Sequence, residues 1–474
     1  MRHHLSVVLV GALVMVGCGG GDDGNGHLPD GPPGPTDAAV DAPVDAPDQP
    51  LPPVTLTITR NGAPVAGVHT YFLNADSSVV ATLDTDASGT VTARMAAGGS
   101  VTAIDPFPDV ATSRVTATAV ILGNNDLRTF MGVKPGDHLV LTQDAPGTPI
   151  AFTLNAKALP SANTYDVVTT CGLDSLSPGQ GGGGSGSPDP GGVVHLTGCH
   201  GFADILIIAS EFNNENNPIL GAQYHADVGL TEGETVVLTD TDYPALADFT
   251  YSYMNAPANA GTISVDHTLA TGRGRFARSF GGGTSPDDSG AATITFQEPT
   301  VPGTVAITDT TVRMRGQHHV IDRGAVAATY TLDMAGLLLP DLLGQRFYNP
   351  TTGRLEWVED TIGVKPDLTI TSINVSQGER TWHWTVAAPY TAGQLKFPTL
   401  PTDVADWAPG PDDGVNVTTL RNAKVPGGYD AVRAHIHDVA GDGGIAGATG
   451  RVITVELQLL EAGRQRRAHL RSGR

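Results

Sequence analysis

The chain has 474 residues and a formal net charge of −22, with 16% charged residues, 59 glycines and 34 prolines. That charge argues against nucleic acid and against direct docking on anionic lipid. The length is too great for a single core, and no long stretch repeats apolar residues at helical spacing, so several non-helical domains are expected.

Residues 1–17 begin with Arg2, His3 and His4 and continue as an apolar run from Leu5 to Val16. Such a run is too short to span a bilayer and has the order of parts of an export signal. Small Gly17 stands directly before Cys18. The end Met15-Val16-Gly17-Cys18 resembles the lipobox of bacterial lipoproteins. The resemblance implies lipidation: Cys18 carries a thioether-linked lipid and becomes the mature N-terminus. Gly19 after it implies the outer membrane. The alternative is an ordinary secretory signal with an incidental cysteine.

Residues 18–53 form a linker of Gly, Pro, Asp and Ala, with no Lys or Arg between Arg2 and Arg60. This composition buries too little apolar surface to offset its ordering entropy, so a disordered tether is expected. At about 3.1 Å per residue it would reach roughly 100 Å from the lipid.

A first β-sandwich is expected over 54–145. Its short strands are separated by turns at NGAP, NADSS, DASG and AAGG. The pattern Gly62-x-Pro64-Val65-x-Gly67-Val68, then Thr85-Asp86-x-x-Gly89, then Gly98-Gly99 resembles carboxypeptidase regulatory-like and related bacterial immunoglobulin-like modules. That resemblance implies a seven-stranded sandwich of the transthyretin type, placed outside the cytoplasm and accessory in role.

A second sandwich is expected over 149–243. Its end GLTEGETVVLTDTD (229–242) echoes GVKPGDHLVLTQD (132–144), as if both finished on equivalent strands. Cys171 and Cys199 lie inside it, flanking a Gly-rich insert. With Cys18 lipidated they form an even pair, read as a structural disulfide in an oxidising compartment.

The β-rich region 244–460 matches no family and is read as one or two domains. Two segments, FTYSYMNAPANAGTISV (249–265) and TWHWTVAAPYTAGQLKF (381–397), look like recurring strand, Ala/Pro loop, strand units. MAGLLLPDLLG (334–344) is the one helix candidate, short or broken at Pro340. The tail 461–474 is basic, with five arginines, and is read as a frayed end.

Chemistry-bearing residues gather late in the chain. Trp382 and Trp384 share one face of a strand, with Trp357, Tyr390 and Trp407 nearby. As an exposed platform, Trp382, Trp384, Tyr390 and Trp407 would stack on sugars; as a buried pair, the two strand tryptophans fill a core, the commoner place for such rings. His435 and His437 point the same way on an expected strand and would need a further ligand to hold zinc, with His318, His319 and His383 elsewhere in the region. Asp403, Asp406, Asp412 and Asp413, and separately the NNENN run at 213–217, would offer oxygen ligands to calcium but lack EF-hand spacing. No cofactor is expected on this basis, calcium or zinc having no firm motif. No nucleophile elbow or phosphate loop is present.

The sequence therefore describes an all-β protein, tandem β-sandwich domains after a disordered tether. It reads as a lipid-anchored outer-membrane or cell-surface lipoprotein with a binding or structural role. Its partners are the membrane through the lipid, and a glycan or envelope protein. The competing reading is an extracytoplasmic hydrolase with its active site in the His/Trp-rich C-terminal region.

Overall fold

The computed structural model describes residues 50–60, 62–104, 125–143, 150–176, 191–196, 201–211, 218–239, 242–378, 380–433 and 450–457. Cys18, Cys199, His435, His437, the NNENN run, the tether up to residue 49 and the basic tail lie outside them. All but Pro50 belong to one unit, 51–474.

Strands dominate because β-branched residues alternate with small polar ones between turns. In β1 (Val54–Arg60) the side chains of Val54, Leu56 and Ile58 are buried while Thr55, Thr57 and Thr59 face outward. The first sandwich continues with β2 (Ala63–Pro64), β3 (His69–Leu73), β4 (Val79–Asp84), β5 (Thr90–Ala93), β6 (Gly99–Ile104), β7 (Asn125–Val133) and β8 (His138–Gln143). The second holds β9 (Ile150–Ala156), β10 (Thr164–Thr169), β11 (Leu173–Leu176), β12 (Gly191–Leu196), β13 (Gly201–Ser210), β14 (Ile219–Leu230) and β15 (Thr235–Leu238). The third holds β16 (Ala247–Met254), β17 (Thr262–Thr271), β18 (Gly274–Thr284), β19 (Ala292–Glu298), β20 (Val305–Arg313), β21 (Gln317–Ala325) and β22 (Thr329–Asp333). The fourth holds β23 (Leu342–Asn349), β24 (Arg354–Glu359), β25 (Leu368–Gln377), β26 (Arg380–Pro389), β27 (Gln394–Lys396), β28 (Gly414–Lys424), the short helix α1 (Gly428–Val432) and β29 (Val452–Glu456).

The first three sandwiches share one topology. Their small sheets run β5-β1-β8, β12-β9-β15 and β19-β16-β22, the opening strand in the centre. In each, the opening strand pairs antiparallel with β5, β12 or β19 and parallel with the closing strand, and β1 also pairs antiparallel with the two-residue β2. The two segments that echo each other in sequence end on β8 and β15, which hold this same closing position. The fourth sandwich differs: β23 precedes β24 and flanks it as an antiparallel hairpin. The segments 249–265 and 381–397, alike in text, are not equivalent. The first leaves a small sheet for a four-stranded one, β16 to β17, and the second makes the reverse crossing, β26 to β27.

A turn recurs with the topology. Asp86 Oδ1 accepts from Ser88 N (2.8 Å), Ser88 Oγ (2.6 Å) and Thr90 N (3.0 Å) just before β5. Before β19, Asp287 Oδ1 accepts from Ser289 N (2.9 Å), Ser289 Oγ (2.6 Å) and Ala291 N (3.0 Å). The glycines that follow each serine, Gly89 and Gly290, sit at φ 71° and 76°. A Cβ there would meet Ile58 O at 2.5 Å and Ala256 O at 2.7 Å, so both the conformation and the space require glycine.

Three four-stranded sheets fuse edge to edge into one sheet of twelve strands among the described residues, β18-β17-β20-β21-β29-β28-β25-β26-β7-β6-β3-β4. The fourth sandwich sits between the third and the first. Its β26 pairs parallel with β7, and its β29 pairs antiparallel with β21. One core lies between this long sheet and the small sheets of the third and fourth sandwiches. Another lies under the small sheet of the first, on the opposite face, where Phe72 packs while its neighbours Tyr71 and Leu73 join the first core. In β13, Ile205 and Ile207 face the second sandwich's own core, and Leu206 and Ile208 face Leu269, Phe276 and Phe280 of the third. Burial on both faces explains the unbroken apolar run Ile205 to Ala209.

The helix expected over 334–344 is absent. Met334–Leu337 is a turn closed by Leu337 N–H to Met334 O (3.1 Å), and β23 begins at Leu342. Pro340 removes the donor a helix would need, while Leu338, Leu339 and Leu342 bury their side chains in the main core instead.

Candidate functional site

Trp382 and Trp384 project from β26 into the main core and are 0% and 1% exposed. The Trp384 ring nitrogen donates to Thr129 Oγ1 (2.9 Å), and its ring meets Phe397 edge-on at 5.0 Å. That of Trp382 donates to Trp407 O (3.0 Å), and Arg380 covers both Trp382 and Trp407, at 4.8 and 4.1 Å from the ring centres. The stacking platform is thus corrected to core: the face of β26 that carries both rings is the one the small sheet of the fourth sandwich covers. Trp407 and Tyr390 are half-buried at its margin. Tyr390 donates its hydroxyl to Glu359, and Trp357 donates to the same carboxylate at 2.9 Å. Burial first, and then the Glu359 carboxylate, push the Tyr390 hydroxyl well above its ordinary range.

The other histidines are paired one by one. His318 is buried against Asp341 (3.3 Å), His319 contacts Asp309 (3.0 Å), and His383 faces Asp126 (3.6 Å). Asp403 accepts from Tyr71, and Asp413 accepts from Gly410 N–H. Among the described residues, no three His, Cys, Asp or Glu side chains gather as a metal site.

The concavity lies beside these residues. A cavity of about 1290 Å³ opens along β23, where the pairing with β24 slips between Leu342 and Arg346. Arg315 and Met314 come from the β20–β21 turn, Arg346 and Phe347 from β23, Glu356 from β24, and Gln394 from β27. Phe347 is 61% exposed, and Trp357 forms part of the wall. Burial lowers the Arg346 guanidinium from its ordinary value, and the charge of Glu456 opposes that shift. The arrangement offers an aromatic face, two guanidinium groups, a carboxylate and an amide, which is the mixture of apolar wall and few polar groups that ligand sites use.

Sequence reasoning reached Trp357 here but missed Arg315, Arg346 and Phe347. These residues meet only because β20, β23 and β24 converge, and no local spacing announces them. A smaller cleft of about 270 Å³ lies on the long sheet between β17, β18 and β20. In it Asp266 and Asp309 stand directly opposite in register. Ser279 donates to Asp266 at 3.2 Å and His319 contacts Asp309, which offsets part of the like-charge conflict.

No family model and no curated protein matches this chain. Among solved structures, it is similar to the Bacillus anthracis TIE protein (8% identity, 60% of this chain and 50% of that one, TM-score 0.14). It is also similar to GBS52, the minor pilin of Streptococcus agalactiae (11% identity, 41% and 98%, TM-score 0.16). A third is the family CBM26 module of Eubacterium rectale Amy13K, solved with maltoheptaose (16% identity, 39% and 91%, TM-score 0.14). The match spans half the length of the TIE protein, and at these TM-scores the likenesses carry no argument about function.

Proposed function

We propose that this chain is a lipid-anchored surface protein of the bacterial outer membrane, with a binding or structural role. The observation that carries the reading is the fusion of three sandwiches through one long sheet. Such a scaffold holds its surface features in fixed relation, as a binding array or a structural spacer requires. The leader ending in Met15-Val16-Gly17-Cys18 supports anchoring through Cys18, and the Pro-rich linker supports display at a distance. The first sandwich belongs with carboxypeptidase regulatory-like or immunoglobulin-like modules, a reading supported by its two packed sheets and by the glycine turns at Gly62, Gly67, Gly89 and Gly98. The cavity beside β23 is the ligand site, and its ligand is a glycan or an envelope protein that lays an apolar face on Phe347. A Cys171–Cys199 disulfide belongs to the same reading. It suits an oxidising compartment, and the two cysteines flank the Gly-rich insert that such a bond would close.

Two measurements test this. Cys18→Ser should release the protein from the membrane fraction and abolish labelling by a palmitate analogue; retention of the variant together with an unlabelled native chain would remove the anchor. On a glycan array and against envelope extracts, the Cys18→Ser chain should bind, and Phe347→Ala should weaken that binding about tenfold with its melting temperature unchanged. Equal binding by both chains would place the ligand elsewhere.

A further inference from the structure

The long sheet ends in two unequal edges. At one end β18 carries the devices that block further pairing. Its register with β17 breaks between Thr268 and Ala270, it contains Gly281, Gly282 and Gly283, and Arg278 ties it to Asp166 of the second sandwich. At the other end β4 carries one register shift, where Val80 is left over against β3 between Phe72 and Leu73, but it contains no glycine. Val79-Val80-Ala81-Thr82-Leu83 holds no charge, proline or glycine. Among the described residues β4 pairs only with β3. Val79 and Leu83 are 49% and 41% exposed, whereas Val80 and Ala81 pack on the core beneath.

We propose that β4 is a self-association edge, at which a second copy of this chain adds its own β4 antiparallel to continue the long sheet across a two-fold axis. The chain itself sets the precedent. Its two internal seams join sandwich edges through six residue pairs at β7–β26 and five at β29–β21, and β4 offers six residues. The sequence of β4 is compatible with itself. Antiparallel pairing about the centre sets Ala81 opposite Thr82, Val80 opposite Leu83 and Val79 opposite Asp84, so no like charges face each other. A two-fold contact of this kind closes on itself and yields a dimer rather than a fibre. The contact is small and each copy carries a charge of −22, so the dimer is weak and strengthens with salt.

Sedimentation equilibrium of the Cys18→Ser chain at low and high salt tests the proposal. The expected result is a reversible dimer with a dissociation constant of roughly 10 µM, tighter at high salt. Hydrogen exchange should show protection of amides 79–84 that rises with concentration. Proline distinguishes the two sides of the strand, because successive N–H groups point to opposite neighbours. Of Ala81→Pro and Thr82→Pro, the one whose N–H faces outward should abolish the dimer and keep its melting temperature. The other should destabilise the β3–β4 pairing. Should both prolines unfold the first sandwich, Leu83→Lys supplies the same test by placing a charge at the seam. A chain that stays monomeric at all concentrations and in both salts overturns the proposal. So does a dimer that survives all three substitutions, or whose protected amides lie elsewhere.

Discussion

The Tyr71 hydroxyl donates to the Asp403 carboxylate at 2.7 Å, joining β3 of the first sandwich to the 3₁₀ segment Thr402–Trp407 of the fourth. His69 Nε2 lies 3.0 Å from the same oxygen, and His69 Nδ1 lies 2.6 Å from Asp84. Burial first, and then the bond to Asp403, push the Tyr71 hydroxyl well above its ordinary range, so it remains a donor. Tyr71→Phe keeps the ring in the core and removes the hydroxyl's contacts to Asp403 and His69. Because Asp403 is exposed, the expected loss is about 1 kcal/mol. A double-mutant cycle with Asp403→Asn in denaturant checks it: non-additive losses show that the two groups act as a pair.

The burial of the β26 tryptophans makes a sharper prediction. Trp384→Ala should cost about 3–5 kcal/mol through the cavity it leaves, and should also free Thr129 of its donor. Trp382→Ala should fall in the same range. Thermal unfolding with fluorescence detection measures both. A variant of either that loses ligand binding while melting like the native chain would restore the exposed-platform reading.

Acid should weaken the fold through particular carboxylates. The Asp86 and Asp287 carboxyls are held below their ordinary value of 3.8, first by the seryl hydroxyls of Ser88 and Ser289 and then by backbone N–H groups. At Asp341 burial opposes the charge, but His318 and the N–H groups of Gly316 and Arg315 outweigh it, again lowering the value below 3.8. A carboxyl lowered on folding binds fewer protons in the native state than in the unfolded one. Its contribution is therefore complete above 3.8 and disappears as pH falls through the folded values. Denaturant midpoints measured from neutral pH down past 3.8 should drop, and Asp86→Asn with Asp287→Asn should flatten that drop.

Arg433 closes the joint between the first and fourth sandwiches. Its guanidinium holds Asp137 in a fork, at 2.6 and 2.7 Å, pairs with Asp430, and lies 5.5 Å from the Tyr429 ring centre. Arg433→Ala leaves Asp137 facing an empty, mostly buried site and should cost about 3 kcal/mol. Arg433→Lys keeps the charge but not the fork and should cost less than half of that. Urea unfolding of the two variants side by side gives the comparison.

Alternation made the strands readable before any coordinates: Val54, Leu56 and Ile58 are core because a β-strand repeats every two residues. The echo between 132–144 and 229–242 marked equivalent closing strands, since the same turn and the same parallel neighbour constrain both. A second repeat, Asp-x-Ser-Gly at 86–89 and 287–290, marks the same turn in the first and third sandwiches. What local patterning does not encode is which edges meet. Trp384 takes its hydrogen-bond acceptor from Thr129, 255 positions away, and the lining of the β23 cavity draws on three strands and the β20–β21 turn. The loops NAPANAG and AAPYTAG misled for the same reason, because direction of crossing depends on partners far off in the chain.

The order first, fourth, third along the long sheet also imposes a schedule on assembly. Strands β25, β26, β28 and β29 are made last yet must enter between β21, made shortly before, and β7, made long before. Until they arrive, both of those edges stand open, and loop closure spanning hundreds of residues opposes joining them. The nascent chain thus carries the unfinished β7 margin through much of its synthesis and the β21 margin through its last part. A holding factor, or slow commitment of the earlier sandwiches, is the natural requirement of a keystone delivered at the end.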